Sequence, residues 1–200
     1  MKFRLITPSK NNLGKVSKSI VERLNAQVKA AIGVNQWINT EEVLNWFKGL
    51  ENKKSLKWLK FDIVNYYPSI SKDLLMKALN FAKQFTHISD EEISLILHCR
   101  KSVLDVAMGS FDSAEICDLC GLFLLWRIGR LIPELNVGLY RDDGLSAVTA
   151  NGQEIERLCK KLHKLFKDEG LSITTEVNVT TVDFLDVFCI HQDLLSLLQR

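Results

Sequence analysis

The sequence predicts an α+β fold whose second half is a split βαβ-like antiparallel sheet packed on helices. Helical and β-like segments follow one another in the order β-α-α-β-α-α-α-β-β-α-β-β, a mixed pattern. Apolar residues make up 46% of the 200 residues and charged residues 25%, a balance typical of a chain with a buried core. Apolar runs stay below the roughly 18 residues of a membrane span, so no membrane partner is expected.

The first half of the chain is predicted from helical periodicity and helix caps. Apolar residues recur every four positions from 14 to 31, as on the buried face of a helix. Asn39 with Glu42, and Ser89 with Glu92, have the spacing of a capping box at a helix start. The predicted elements are, in order, a strand at 3–6, helices at 14–31 and from 39, a strand at 56–63, and helices at 71–85 and 89–106.

The second half is predicted as a long apolar helix, a hairpin, a basic helix and two strands. Asp143 and Gly144 are expected to form the hairpin turn, because glycine accepts a positive φ. Gly170 is expected to end the basic helix as a C-terminal cap. The predicted elements are, in order, a helix at 112–131, strands at 137–140 and 145–149, a helix at 153–168, and strands at 173–177 and 184–190.

Charge is distributed unevenly along the chain. Residues 1–60 contain 12 Lys or Arg and 4 Asp or Glu, whereas the remaining residues contain 14 and 20. A basic first third beside an acidic remainder suggests a polyanion-binding part next to a carboxylate-bearing part, and a chance distribution is the alternative. The polar stretch 51–55 is the best candidate boundary, which divides the chain into segments 1–54 and 55–200.

Three carboxylates are the candidate site. Asp142 and Asp143 are flanked by apolar residues, so they are expected to project from the rim of a buried sheet, and two solvated acids in a plain turn are the alternative. Adjacent acids repel, and a cation usually relieves such a pair. Asp62 ends an apolar β-like run, either facing water or converging with the other two if their strands are neighbours. Three such carboxylates suit two Mg²⁺ ions.

Several segments resemble the motifs of reverse transcriptases, and they occur in the order of that family. Residues 61–70 (FDIVNYYPSI) resemble motif A, and residues 139–145 (LYRDDGL) resemble the aromatic-x-Asp-Asp hairpin of motif C. The other matches are 4–6 (RLI) to a fingers segment, 108–115 (MGSFDSAE) to motif B, 170–173 (GLSI) to motif D and 183–187 (DFLDV) to motif E. The set is similar to reverse transcriptases of mobile elements in animal genomes.

The resemblance implies an RNA-directed DNA polymerase with a fingers-like basic segment at 1–54 and a palm-like catalytic segment at 55–200. Such an enzyme adds dNTPs to a primer 3′-hydroxyl on an RNA template. The implied cofactors are two Mg²⁺ ions, for which Mn²⁺ is a possible substitute. The implied partners are the RNA template, a DNA or RNA primer, the dNTP substrate and further domains of a larger polyprotein.

The resemblance also assigns roles to single residues. Asp62, Asp142 and Asp143 would be the catalytic metal ligands, with the Ile63 backbone carbonyl assisting. Tyr67 matches the aromatic steric gate that excludes a ribose 2′-hydroxyl, and an ordinary aromatic of the turn is the alternative.

Two further positions are assigned to nucleotide binding. Gly109 would let the backbone approach the template or the incoming base, and a glycine at a helix start is the alternative. Arg4 would reach the triphosphate, because a guanidinium fork suits phosphate oxygens, and a solvated arginine on an edge strand is the alternative.

The sequence also departs from the family. Residues 107–108 (AM) stand where the family has Pro-Gln, and no lysine follows Gly170 in motif D, so no general acid is named. The chain ends shortly after motif E, without a thumb segment. These departures motivate an alternative, a non-catalytic RNA- or protein-binding remnant of a retroelement polymerase. An RNA-templated RNA polymerase would use the same acids and is a third hypothesis.

The remaining signals are interpreted as structural. Cys117 and Cys120 lie in an apolar helix and are expected in the core, and Cys159 with His163 are too few ligands for zinc. Five cysteines without a secretion signal fit reduced thiols in the cytoplasm or nucleus. The lysines of the basic helix are expected to be a solvated face, and contact with a nucleic-acid backbone is the alternative. The four tryptophans are expected to be core anchors.

Overall fold

The computed structural model describes residues 12–99, 111–178, 181–185, 187–190 and 194–195. Within these ranges the chain is a mixed α+β structure, which confirms the predicted class. The predicted strand at 3–6 lies outside the described residues. Among the helices of the described ranges, none combines the length and the apolar character needed to cross a membrane.

The predicted helices begin close to their predicted starts, and the short helix at Tyr66–Ser69 was not predicted. In the described ranges they are α1 Asn12–Ile32, α2 Thr40–Lys48, α3 Tyr66–Ser69, α4 Lys72–Ala82, α5 Asp90–His98, α6 Ser113–Leu131 and α7 Gly152–Asp168, with a short 3₁₀ turn at Lys53–Ser55. The strands are β1 Asn35–Gln36, β2 Lys57–Ile63, β3 Asn136–Tyr140, β4 Asp143–Val148, β5 Ile173–Asn178, β6 Thr181–Phe184, β7 Val187–Ile190 and β8 Leu194–Leu195.

The predicted caps hold the helix ends. At α5 the Ser89 hydroxyl accepts from the Glu92 backbone and the Glu92 carboxylate accepts from the Ser89 backbone, a complete capping box. At α2 the Asn39 side chain accepts from the Glu42 N–H at 2.9 Å. Gly170 follows α7 with φ +75°, the left-handed conformation expected of a C-terminal cap. The helix predicted to reach 106 ends at His98, with Cys99 as its C-cap. Residues 100–106 lie outside the described residues.

The chain forms two compact units, each assembled from separated stretches. The first contains α1, α3, α4, α5 and α6 up to Trp126, together with residues 169–171. In it, α6 is buried along most of its length, and Cys117 and Cys120 are buried as predicted. Two polar bonds connect α6 and its start to other elements of this unit. The Ser17 hydroxyl donates to the buried Asp112 carboxylate at 2.6 Å, and the Tyr66 hydroxyl donates to the Cys117 carbonyl at 2.9 Å.

The second unit contains the larger sheet, α2 and α7. The strand order is β1-β3-β4-β2-β5, in which β3, β4, β2 and β5 are antiparallel neighbours and β1 is parallel to β3. The crossover from β4 through α7 to β5 places β2 between β4 and β5, as in a split βαβ arrangement. The strand that carries Asp62 is therefore the neighbour of β4, the second strand of the hairpin, which is the condition under which the three acids are expected to converge.

The two faces of β2 pack against different helices. Phe61 packs against Phe166 of α7, with 5.5 Å between ring centroids. Trp58 is on the opposite face, because side chains alternate along a strand, and it stacks on Phe47 of α2 at 5.6 Å. Trp37 and Phe184 join the Trp58 side in one apolar cluster. Trp37 and Trp58 are buried, which confirms that they are core anchors.

The hairpin between β3 and β4 differs from the prediction. Tyr140 pairs with Asp143, so the two-residue turn is Arg141–Asp142, and Asp143 and Gly144 belong to β4. The predicted turn at Asp143–Gly144 is wrong. Gly144 lies in β4, where the absence of a side chain leaves room for the Phe61 ring. A Cβ at Gly144 would overlap the ring of Phe61, its partner across the strands.

The strand predicted at 184–190 is interrupted by a turn, and only Val187–Ile190 forms one strand of it. β6 and β7 pair antiparallel as a hairpin, with Phe184 opposite Val187. Leu185, the first residue of the turn, has φ +55°. Apolar residues on both sides of position 186 predict one continuous β-like run, because a single Asp is the only polar residue between 184 and 190.

Candidate active site

Asp62 and Asp143 face each other across two hydrogen-bonded strands. They are register partners in the antiparallel pair of β2 and β4. Directly opposed residues project from the same face of a sheet, with Cβ atoms about 4.5–5.5 Å apart. Both side chains are partly buried. The fold therefore holds two like charges together although they are far apart in the sequence.

Asp142 is fixed beside the same pair through its backbone. Its carbonyl accepts a hydrogen bond from the Ile63 N–H at 2.9 Å, which extends the β2–β4 ladder into the turn. Ile63 itself is buried. This bond places the third predicted carboxylate next to the strand end that carries Asp62.

The electrostatics of Asp143 reflect this crowding. Burial raises the pKa of the Asp143 carboxyl above its ordinary value, and repulsion from Asp142 and then from Asp62 raises it further. The Lys60 ammonium opposes these effects and lowers the pKa of Asp143, with less weight. Asp143 is therefore close enough to both other acids to be repelled by them, and a cation nearby would make its carboxyl easier to ionise.

Asp62 and Asp143 belong to a row of four side chains that crosses the sheet. Tyr140 pairs with Asp143, Asp143 with Asp62, and Asp62 with Thr174 of β5. The four residues share one face, because paired positions in adjacent antiparallel strands project together. Sequence reasoning missed Thr174, since the only signal for it is the register of β5 on β2.

Lys60 connects the face of β2 that carries Asp62 to the β6–β7 hairpin by a hydrogen bond. It precedes Asp62 by two residues and so lies on the same face of β2. Its ammonium donates to the Asp183 carbonyl of β6 at 3.0 Å. The bond anchors β6 to the strand that carries Asp62.

The carboxylates of the site are donors that magnesium prefers, and they leave coordination positions for water and substrate. Within the described ranges, no three His, Cys, Asp or Glu side chains are grouped as a ready set of metal ligands. Magnesium at phosphoryl-transfer sites is usually held by one or two carboxylates, with water and substrate phosphates completing the octahedron. Two facing carboxylates with a third beside them, one of them with a raised pKa, fit that kind of open site.

The other predicted site residues are distributed differently. Tyr67 lies in α3 of the first unit, partly buried, with its ring 6.5 Å from that of Tyr66. Arg4 and Gly109 lie outside the described residues. No observation tests the roles predicted for these three residues.

Two features interpreted as structural, the Cys159–His163 pair and the lysines, lie on α7. His163 Nε2 is 3.2 Å from the Thr175 hydroxyl, and Cys159 is partly buried. The α7 lysines form an exposed face, as expected. Three of them pair with carboxylates: Lys160 with Glu156, Lys161 with Glu134 and Lys164 with Asp168.

Comparison with known proteins gives likenesses of structure alone. No protein-family model and no curated protein sequence matches the chain. Among solved structures, apo telomerase from Candida tropicalis matches with a TM-score of 0.70 and 11% identity, over 90% of this chain and 40% of that chain. Telomerase from Candida albicans, in complex with a fragment of telomeric RNA, matches with a TM-score of 0.64 and 13% identity, over 91% and 37%.

A viral polymerase is similar to the same degree. The RNA-dependent RNA polymerase of BmCPV at its elongation state matches with a TM-score of 0.65 and 9% identity, over 96% of this chain and 20% of that chain. The chain thus spans 20–40% of the length of these three polymerases. At such identities the likeness establishes the fold, so the chain has a fold shared with template-directed polymerases.

Proposed function

We propose that this chain is the fingers-and-palm core of an RNA-directed DNA polymerase of mobile-element type. Residues 1–54 would be the fingers-like segment and residues 55–200 the palm-like segment. The observation that carries the proposal is the pairing of Asp62 with Asp143, with Asp142 fixed beside them, in a fold shared with polymerases.

The chain's own contribution is to gather negative charge at one point of a rigid sheet. Asp62, Asp142 and Asp143, with the Ile63 carbonyl, would hold two Mg²⁺ ions, or Mn²⁺ as a substitute. When bound, such ions supply charge neutralisation at the reacting phosphate and lower the pKa of the primer 3′-hydroxyl. The antiparallel ladder fixes the acids before substrate arrives, so positioning rather than covalent chemistry provides the catalysis.

The substrate contacts follow from the same assignment. Tyr67 would exclude the ribose 2′-hydroxyl, Gly109 would allow close approach of the template or base, and Arg4 would bind the triphosphate. The partners would be an RNA template, a DNA or RNA primer and dNTPs, with further domains of a polyprotein, inside the cell. The RNA fragment bound to Candida albicans telomerase is in keeping with a nucleic-acid partner for this fold.

Primer extension on an RNA template with Mg²⁺ tests the proposal. Asp142→Ala should reduce incorporation at least about 100-fold, the usual cost of removing a group that stabilises transition-state charge. Asp73→Ala is the matched control, because Asp73 is exposed on α4, and it should extend as the wild type does. Extension by Asp142→Ala at the wild-type rate would contradict the assignment. Retention of RNA without incorporation, undiminished in Asp62→Ala, would favour the non-catalytic remnant.

An RNA-templated RNA polymerase is the second candidate, because the BmCPV polymerase matches this chain about as well as the telomerases do. Tyr67→Ala distinguishes the two. A DNA polymerase with a steric gate should incorporate ribonucleotides more readily once the ring is removed. Unchanged selectivity between dNTPs and ribonucleotides would argue against the gate and for the RNA polymerase.

A further inference from the structure

Arg141 occupies a backbone conformation that does not suit an arginine. It is the first residue of the β3–β4 turn and has φ +54°. L-residues with a Cβ rarely adopt this region, and Gly, Asn and Asp are the usual choices at such a turn. The turn by itself therefore gives no reason for an arginine.

The other described non-glycine residues with positive φ are either asparagine or packed against the core. Among the described residues, Asn52, Asn65 and Leu185 are the other non-glycine residues with positive φ. Asparagine tolerates the conformation, and the Leu185 side chain packs against the apolar cluster around Trp58. Arg141 is exposed and has no such packing.

Arg141 directly precedes two of the acids in the sequence, and its side chain carries a positive charge that no described carboxylate pairs with. Its guanidinium lies over the Tyr140 ring, 5.7 Å from the centroid. In the described part of the chain it makes no ion pair, although Asp142 and Asp143 follow it directly. The ring supports the guanidinium without neutralising it, since a cation–π contact leaves the N–H donors available.

We propose that Arg141 binds a backbone phosphate of the nucleic-acid strand whose 3′ end reaches the carboxylate row. The inference rests on the proposed function. Carboxylates repel a phosphodiester chain, so a strand end needs a cation beside them, and a guanidinium fork matches two phosphate oxygens. Strained backbone concentrates at functional sites, where the strain is retained for the contact that it presents.

The test measures folding and binding in the full chain with two variants. Arg141→Gly removes the charge and relieves the backbone, so its Tm should rise by about 1–4 °C. Its affinity for an RNA–DNA primer–template should nevertheless fall about 5–10-fold, with the salt dependence weakened by about one phosphate contact. Arg141→Lys, which keeps the charge, should lose less affinity. Fluorescence anisotropy across a salt series gives both quantities.

Arg157→Ala is the matched control. Arg157 is exposed on α7, the helix that packs on the other face of β2, and its loss should leave the affinity unchanged. A merely structural Arg141 would not lose affinity while gaining stability. Wild-type affinity and salt dependence in Arg141→Gly would overturn the inference.

Two further measurements distinguish binding of the strand from binding of the dNTP, and binding from incorporation. A raised KM for dNTP with unchanged primer–template affinity would overturn the strand assignment and place the contact on the triphosphate. The inference and the proposed function can also fail separately, because binding is measured without incorporation. Weakened binding in Arg141→Gly together with full extension by Asp142→Ala would contradict the catalytic assignment alone.

Discussion

The raised pKa of Asp143 makes the stability of the fold depend on pH. Its pKa is raised by burial and by two neighbouring acids, so the folded state favours the protonated form more than the unfolded chain does. The stability that this difference contributes is fully present below the ordinary carboxyl pKa and is lost as pH rises through the raised value. At neutral pH without a cation, the ionised Asp143 therefore destabilises the fold.

Asp143→Asn tests this account. In metal-free buffer at pH 7 the variant should melt about 1–3 °C above the wild type, a small gain because Asp143 is partly exposed and screened. At pH 3 the difference should disappear, since the carboxyl is then protonated in both states. Thermal unfolding at the two pH values measures it. Asp73→Asn, at an exposed acid paired with Lys77, is the control and should show no gain. A variant that is less stable at pH 7 would contradict the sign.

At the scale of the element, glycines and rings set the strand register. A Cβ at Gly144 would overlap the Phe61 ring, and one at Gly138 would overlap Trp37. Gly144 pairs with Phe61, and this pairing continues to the next pair along the ladder, Asp62 with Asp143. A slip of one residue would remove both the packing and the juxtaposition of the acids.

Gly144→Ala should cost about 1–3 kcal/mol of unfolding free energy, the usual range for overpacking, because the Phe61 ring has to move. Denaturant unfolding measures the loss. Gly152→Ala is the matched control, since nothing lies within 4 Å of a Cβ at that position of α7, and it should be neutral or slightly stabilising. Phe61→Leu combined with Gly144→Ala should lose less than the sum of the single losses. Full additivity would show that the two residues do not interact.

At the scale of the whole molecule, the acid pairing links stability to divalent cations. A ligand that binds only the folded chain at ten times its Kd adds about 1.4 kcal/mol, which is roughly 3 °C in Tm for a chain of this size. Mg²⁺ should therefore raise the Tm of the wild type. The gain should vanish in Asp62→Asn combined with Asp142→Asn.

Asp73→Asn is again the control and should keep the full gain with Mg²⁺. The measurement is a thermal melt over a magnesium series at constant ionic strength, so that general screening does not contribute. Equal gains in the wild type and the double variant would exclude the carboxylates as the binding site.

Most helix starts and the identity of the acids were accessible from the sequence, while the strand register that pairs Asp62 with Asp143 was not. Ser89 with Glu92, Asn39 and Gly170 predicted helix ends correctly, because a cap involves atoms only a few residues apart. The prediction of a turn at Asp143–Gly144 was wrong, because Gly144 lies in β4 and leaves room for the Phe61 ring, a contact between residues distant in the sequence.

The sequence by itself determined which carboxylates the chain carries, that each borders an apolar β-like run, and that the fold is mixed α+β. Only the tertiary structure decided that Asp62 lies opposite Asp143, that Thr174 belongs to the same row, and that Arg141 and Asp142 form the hairpin turn. The reason is physical: caps and periodicity depend on neighbours along the chain, whereas register depends on side chains that meet across strands some 80 residues apart.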